Sequence, residues 1–295
     1  MAQSSKKSEN AGPSDPDAFA FVQTLAGELS TGKVELPSFP DIAMRVRQVL
    51  SDETVSPEKV VRVVGSEPAL AARLLQLANS AALNFSGKAV TDLRTAIARM
   101  GFNMVRSAAI AFAMSQLKKV DSLKGLEQPL DVLWRRSASV AAMSHAVARR
   151  LAKVNPDTAL LAGLLHGIGQ LYILTRTAKH PKLFENEAVY QNIVRDWHSS
   201  IAKALLENWD MAEEIVEAVG NYEDIGRVHS GPSDLTDVLT VGYLLASYRD
   251  HPDSIELNMQ GVSAFERMQL DRAGYDKLIQ ESGDEIAAVQ AALGR

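Results

Sequence analysis

The side chains in this sequence that invite chemistry are its histidines. There are six of them and no cysteine, so any transition-metal site must be built from imidazoles and carboxylates, and no thiol nucleophile is available. The most informative stretch is Ala162-Gly163-Leu164-Leu165-His166-Gly167-Ile168-Gly169-Gln170-Leu171, which sets one imidazole among apolar and small residues. His166 there reads either as a ligand or as a core histidine hydrogen-bonded to a backbone carbonyl, and the second arrangement is the commoner one. His198 reads as an exposed residue at a helix start. Ser144-His145 and His229-Ser230 suggest a nucleophile with its base, but adjacency in sequence is not triad geometry. Gly65-Ser66 and Gly101-Phe102 are helix breaks without the spacing of a phosphate loop. Arg94, Arg99 and Arg106 with Lys118 and Lys119 form either a basic stripe or, as the plainer reading has it, a solvated helix face.

The elements that must hold these residues are helices. Ser56-Pro57-Glu58, Ser66-Glu67-Pro68 and Asn155-Pro156-Asp157 each combine a capping side chain with a proline of the first turn. Thr91-Asp92 opens a helix that ends near Gly101, and Phe102 to Leu117 forms the next. Leu130 to Leu151 reads as one long alanine-rich helix, Ala188 to Trp197 and His198 to Asn208 as two, and Ala212 to Asn221 and Leu235 to Tyr248 as one each. Ala264 to Gln269, Gly274 to Gln280 and Glu285 to Leu293 close the chain. No alternating runs joined by Asn-Gly or Asp-Gly turns occur, so the fold class is all-α. Leu36-Pro37-Ser38-Phe39-Pro40 is a proline-rich turn, and Gly125 with Pro129 marks a boundary between halves. The expected organisation is a flexible tail at 1–17, an N-terminal helical half at 18–120, a second helical half at 126–250 and a C-terminal extension at 251–295. Met44, Met100, Met104, Met114 and Met143 read as core filler, and Trp209 and Tyr222 as C-terminal core.

Composition narrows the function. The 295 residues are 46% hydrophobic and 23% charged, the balance of a globular protein with a real core. A net charge of -5 argues against a nucleic-acid surface, since phosphate contacts supply most of that affinity. The longest apolar stretch, Thr158 to Leu174, is interrupted by His166 and Gln170, short of the roughly 18 uninterrupted residues of a membrane span. MAQSSKKSEN lacks the apolar region of a signal peptide, so a cytoplasmic location without a membrane partner is expected.

Several segments, in order, carry a likeness. They are Leu36 to Pro40, Glu67-Pro68-Ala69-Leu70, Arg73-Leu74-Leu75-Gln76-Leu77-Ala78-Asn79-Ser80, Leu133-Trp134-Arg135-Arg136-Ser137, the His166 segment, and Leu205-Leu206-Glu207-Asn208-Trp209. Together they make residues 29 to 295 resemble the HDOD proteins, bacterial signalling relatives of the HD-type metal-dependent phosphohydrolases. The resemblance implies an HD-like multi-helix bundle with an N-terminal helical half and a C-terminal extension. It also implies a residue-by-residue test. HD enzymes use an early histidine, a His-Asp pair, further histidines and a distal aspartate. A carboxylate between imidazoles bridges divalent metals, which generate hydroxide and neutralise phosphate charge.

By this resemblance the early histidine is Arg136 and the His-Asp pair is His166-Gly167. The later paired histidine becomes Asn221 and Tyr222, the distal aspartate falls at Gly242 or Tyr243, and Gln170 replaces a basic residue. Only His166 and His198 remain as ligands, and two imidazoles rarely hold a metal alone. The expectation is a vestigial pocket of Arg136, His166, Gly167, His198, Asn221 and Tyr222, with no catalytic residue, metal or cofactor. The chain is then a non-enzymatic signal-transduction or regulatory protein that acts through protein partners. One alternative is a residual phosphohydrolase of nucleotides or cyclic dinucleotides, using His166, His198 and an acid such as Asp157 or Glu223. Another is a sensor that binds a small anion or nucleotide through Arg136, whose plainer role is an ion pair with a carboxylate.

Overall fold

A computed structural model describes residues 16–34, 36, 41–50, 52, 54–80, 84, 87–117, 123–177, 180, 183, 186–249 and 251–292. Among the described residues there are fourteen helices and no strand, as the all-α reading requires. They are α1 (Pro16–Ser30), α2 (Asp41–Leu50), α3 (Pro57–Gly65), α4 (Pro68–Ala78), α5 (Leu93–Gln116), α6 (Glu127–Leu151) and α7 (Pro156–Leu165). There follow α8 (Ile168–Thr177), α9 (Glu187–Asn208), α10 (Glu213–Asn221), α11 (Leu235–Tyr248), α12 (Pro252–Met259), α13 (Ser263–Arg267) and α14 (Arg272–Ala292).

Two of the three expected caps form; at the third, α4 has no side-chain cap, because Ser66 Oγ donates back to the Val63 carbonyl at 2.7 Å. Ser56 Oγ accepts from the Lys59 N–H at 3.4 Å, and Asn155 Oδ1 from Asp157 and Thr158 at 2.8 and 3.2 Å. These bonds satisfy amides that have no partner inside a helix. Gly101 adopts φ 74°, a left-handed value that a side chain disfavours, and so α5 kinks where the break was expected.

Four boundaries differ. His198 does not start a helix: α9 runs unbroken across the expected division at Trp197-His198, because no proline or glycine interrupts it. The segments around Gly274 and Glu285 merge into the single α14, since a helical glycine costs only about 1 kcal/mol and packing overrides it. An extra helix, α12, starts at Pro252. The lead-in helix begins at Pro16, inside the expected tail; residues 1–15, Pro37 to Pro40, and Lys118 and Lys119 lie outside the described residues.

The core of the second half is α6 packed on α7, α11 and α14, with α8 on α9 and α10 between α9 and α11. Small residues permit this density. A methyl on Gly163 would lie 2.5 Å from Ala141 Cα, and one on Gly242 2.9 Å from Ser144 Cα. In the first half α5 gathers α2, α3 and α4 and meets α7. Helix α1 docks instead on the second half: Arg176 pairs with Glu28 at 3.0 Å, Tyr172 donates to Glu28, and Asn208 donates to the Gly32 carbonyl at 3.0 Å. The stretch Pro156–Thr177 is long and apolar enough to cross a membrane, yet 94% of its 18-residue apolar window is buried in the bundle, where it serves as core.

Candidate functional site

Three helices and two turns bring most of the expected pocket residues together. His166 and Gly167 form the break between α7 and α8, His198 sits at mid-α9, Tyr222 and Glu223 follow α10, Arg136 lies on α6 and Tyr243 on α11. His166 is 1% and His198 2% exposed, so the exposed position expected for His198 is wrong: its helix passes through the core.

His166 Nδ1 lies 2.7 Å from the Gly163 carbonyl. A carbonyl only accepts, so Nδ1 carries the proton and Nε2 presents a lone pair. Nε2 is buried without a hydrogen-bond partner. Burial lowers the His166 pKa to about 4, with the Arg136 charge acting in the same direction, so the ring is neutral at pH 7. Its edge meets the rings of Tyr222 and Tyr243, at centroid distances of 5.5 and 5.8 Å, and those two rings lie 4.9 Å apart. The Arg136 guanidinium lies 4.8 Å over the Tyr243 ring and donates to its hydroxyl, a cation–π arrangement rather than the ion pair named as its plainer role.

His198 Nε2 is 2.8 Å from Glu223 Oε2, while Tyr222 donates to Glu223 Oε1 at 3.1 Å. Burial alone would raise the Glu223 pKa, but the hydrogen bond and charge of His198 outweigh it and hold the carboxyl below its usual value. Tyr222 is pushed well above the ordinary phenol value by burial and then by Glu223.

Three expected placements need correction. Asn221 does not join the cluster: its amide turns back to the Glu217 carbonyl and carboxylate at 2.8 and 3.0 Å, because the last turn of α10 faces solvent there. Of the two candidates for the distal position, Tyr243 reaches the cluster and Gly242 lies against Ser144. Asp157 pairs with His145 at 4.0 Å at the far end of α7, roughly 13 Å of helix from His166. Glu223 is therefore the acid at this site.

This donor set does not fit a divalent metal. Position 167 offers no carboxylate, and the place its Cβ would take is bounded by Leu133 Cδ1 at 3.0 Å and Ser137 Oγ at 3.2 Å. Both Glu223 oxygens are engaged, and the guanidinium of Arg136 adds a positive charge to the cluster. Among the described residues the one His/Asp/Glu triple with ligand atoms within 4.8 Å is elsewhere: His229, Asp234 and Asp237.

That second cluster was not anticipated as a unit. Arg227 grips Asp234 with both terminal nitrogens at 3.1 and 2.6 Å, Arg267 donates to Asp237 at 2.8 Å, and His229 Nε2 is 2.9 Å from Asp237. Two arginines balance two carboxylates, so the cluster ties α13 to the capping box of α11 rather than presenting a vacant ligand set. The sequence signal was Asp234 three residues before Asp237, a reciprocal cap. Of the other basic residues, Arg94 pairs with Glu58 at the surface, Arg99 donates to Asn84 and the Ala78 carbonyl, and one terminal nitrogen of Arg106 donates to the Leu50 carbonyl. Ser144 packs under Gly242, away from any nucleophile geometry. A groove of about 360 Å³ borders the histidine cluster, floored by Leu133, Leu174, Tyr190 and Val194 with Arg136 and Gln170 at its rim.

Residues 36–225 match the model of the HDOD domain family. No curated protein matches the chain. Among solved structures, a Shewanella amazonensis SB2B protein, named by inference a metal-dependent phosphohydrolase, is 25% identical with a TM-score of 0.75. The alignment covers 95% of this chain and 100% of that one. An HDOD domain protein of Geobacter sulfurreducens is similar at 23% identity and TM-score 0.63, over 92% of this chain and 96% of the other. A Marinobacter aquaeolei VT8 protein, named by inference for signal transduction, is similar at 20% identity and TM-score 0.58, over 97% of this chain and 68% of the other.

Proposed function

The chain belongs to the HDOD domain family, and on that premise we propose that it is a non-catalytic signalling or regulatory module that works by binding other proteins. One observation carries the reading: the centre that metal would occupy in an HD enzyme is packed with Tyr222, Tyr243 and a neutral His166. In HD enzymes bound metal supplies hydroxide and offsets phosphate charge. Here the residues do something else. Tyr222 and Tyr243 keep the His166 ring dry, Glu223 fixes His198, and Arg136 closes the outer side over Tyr243. The cluster cements α6, α7, α9 and α11 into one body, whose outer faces are left to meet a partner. The name of the Marinobacter relative supports a signalling role; that of the Shewanella relative points to hydrolysis, for which this chain lacks the bridging carboxylate.

The test is crosslinked capture from native lysate, run beside turnover of phosphodiesters and cyclic dinucleotides with manganese. The reading expects a stoichiometric partner and no turnover. Turnover that disappears in His166→Ala would overturn it.

A second reading is favoured by the groove beside Arg136: a small anionic ligand, such as a nucleotide, bound there to tune partner affinity. A nucleotide thermal-shift screen on wild type and Arg136→Met tests it. A shift confined to wild type supports the sensor, and no shift with any nucleotide removes it.

A further inference from the structure

Two arginines of the N-terminal half are held in an arrangement that their own contacts do not explain. Arg47 Nη1, on α2, and Arg106 Nε, on α5, are buried and have no hydrogen-bond partner. The two side chains also act on each other: burial, and then the positive charge of Arg47, lower the pKa of Arg106. Part of the arrangement serves the end of α2. Arg106 Nη2 donates 2.8 Å to the Leu50 carbonyl, and Arg47 lies in the last turn, where a cation suits the helix dipole. That role leaves two buried donors unsatisfied and a second positive charge near enough to act on Arg106, both unfavourable. The next acid along the chain is engaged elsewhere: Asp52 Oδ1 accepts from the Thr54 N–H at 2.9 Å and its hydroxyl at 2.6 Å, and Oδ2 is 4.0 Å from Lys59. Both arginines remain partly exposed, although these two donor atoms are buried.

We propose that Arg47 and Arg106 form a binding site for a small phosphoryl oxyanion, free phosphate or a phosphomonoester, where α2 meets α5. A guanidinium presents a planar fork of donors that matches such an anion. One anion between the two forks relieves the repulsion and gives the donors acceptors after a small shift of the side chains. The site lies in the first half of the chain and does not depend on the reading of the His166 cluster.

The test is thermal unfolding of the full chain in inorganic phosphate, in glycerol 3-phosphate, and in sodium chloride of matched ionic strength, for wild type, Arg47→Met and Arg106→Gln. At about ten times the dissociation constant the anion should raise the wild-type Tm by about 2 °C over chloride. Both variants should lose that rise, which also separates binding from a general salting effect. A rise with both anions assigns the site to any exposed phosphomonoester, and a rise with inorganic phosphate alone to the free ion. In chloride, Arg47→Met should melt at or above wild type because it removes the repulsion. Melting several degrees below wild type would show that Arg47 serves only α2, and would overturn the proposal. An equal rise in wild type and both variants, or no rise in wild type, would do the same. So would a Glu53→Gln chain that melts lower in chloride and gains a phosphate response absent from wild type. That result would make Glu53, which lies outside the described residues, the native counter-charge.

Discussion

Gly169→Ala tests the packing that places the two histidines. A methyl at 169 would lie 2.7 Å from the His198 carbonyl carbon and 3.1 Å from the Ala202 nitrogen, with the carbonyl oxygen nearer still. Ordinary contact begins at 3.4 Å, so the shortfall against the carbon is about 0.7 Å. The obstacle is α9 backbone, which has no rotamer to change, so α8 and α9 must move apart. Overpacking of this kind costs about 1–3 kcal/mol when side chains can yield, and a backbone clash belongs at ~3 kcal/mol or beyond. With an unfolding entropy of about 0.6 kcal/mol/K for 295 residues, that lowers Tm by about 5 °C. The assay is thermal and urea unfolding by circular dichroism, with Gly65→Ala as the control. Gly65 lies in a helix, its methyl would find nothing closer than Leu93 Cδ2 at 3.8 Å, and the change should leave stability unchanged or raise it. Stability of Gly169→Ala within about 0.5 kcal/mol of wild type would refute the close approach of α8 and α9.

Three further outcomes follow from the geometry. His166 titrates near 4 in the fold and near 6.5 when unfolded, so below pH 6.5 the unfolded chain takes up a proton that the native chain refuses. Stability should therefore fall by about 3 kcal/mol as pH drops from 6.5 to 4, and urea unfolding across that range should show a flatter profile in His166→Gln. Asp237→Asn removes a carboxylate 3% exposed that holds Arg267 and His229; it should cost ~3 kcal/mol and quicken proteolysis around α13, whereas an unchanged digest would dissociate that cluster from the docking of the C-terminal segment. Gly167→Asp should lower stability by about 2 kcal/mol, because its carboxylate would be buried beside Leu133 and Ser137, and it should gain no manganese in a titration.

The fold was legible because its signals are local. Ser56, Asn155 and Asp92 cap the helices they precede, and Gly101 bends α5 where its backbone turns left-handed. The missing carboxylate at position 167 is equally local, since it follows from residue type alone. What the sequence hid was tertiary. The division at His198 was unwarranted, since no proline or glycine interrupts α9, but the burial of His198 follows only from the packing of α9 against α8 and α10. Tyr243 and Asn221 seemed equivalent as replacements for ligands, yet helix phase sends one into the cluster and the other to Glu217. The Arg227–Asp234 and Arg267–Asp237 pairs join residues up to 30 positions apart, beyond the reach of any periodic pattern.

On the proposed reading, this bundle has the HDOD scaffold without a working metal centre. Elemental analysis of the full chain, saturated with manganese or iron and then desalted, tests it most directly. Well under about 0.1 metal per chain, equal in wild type and His166→Ala, is the expected result. Close to one metal per chain, lost in His166→Ala, would contradict it.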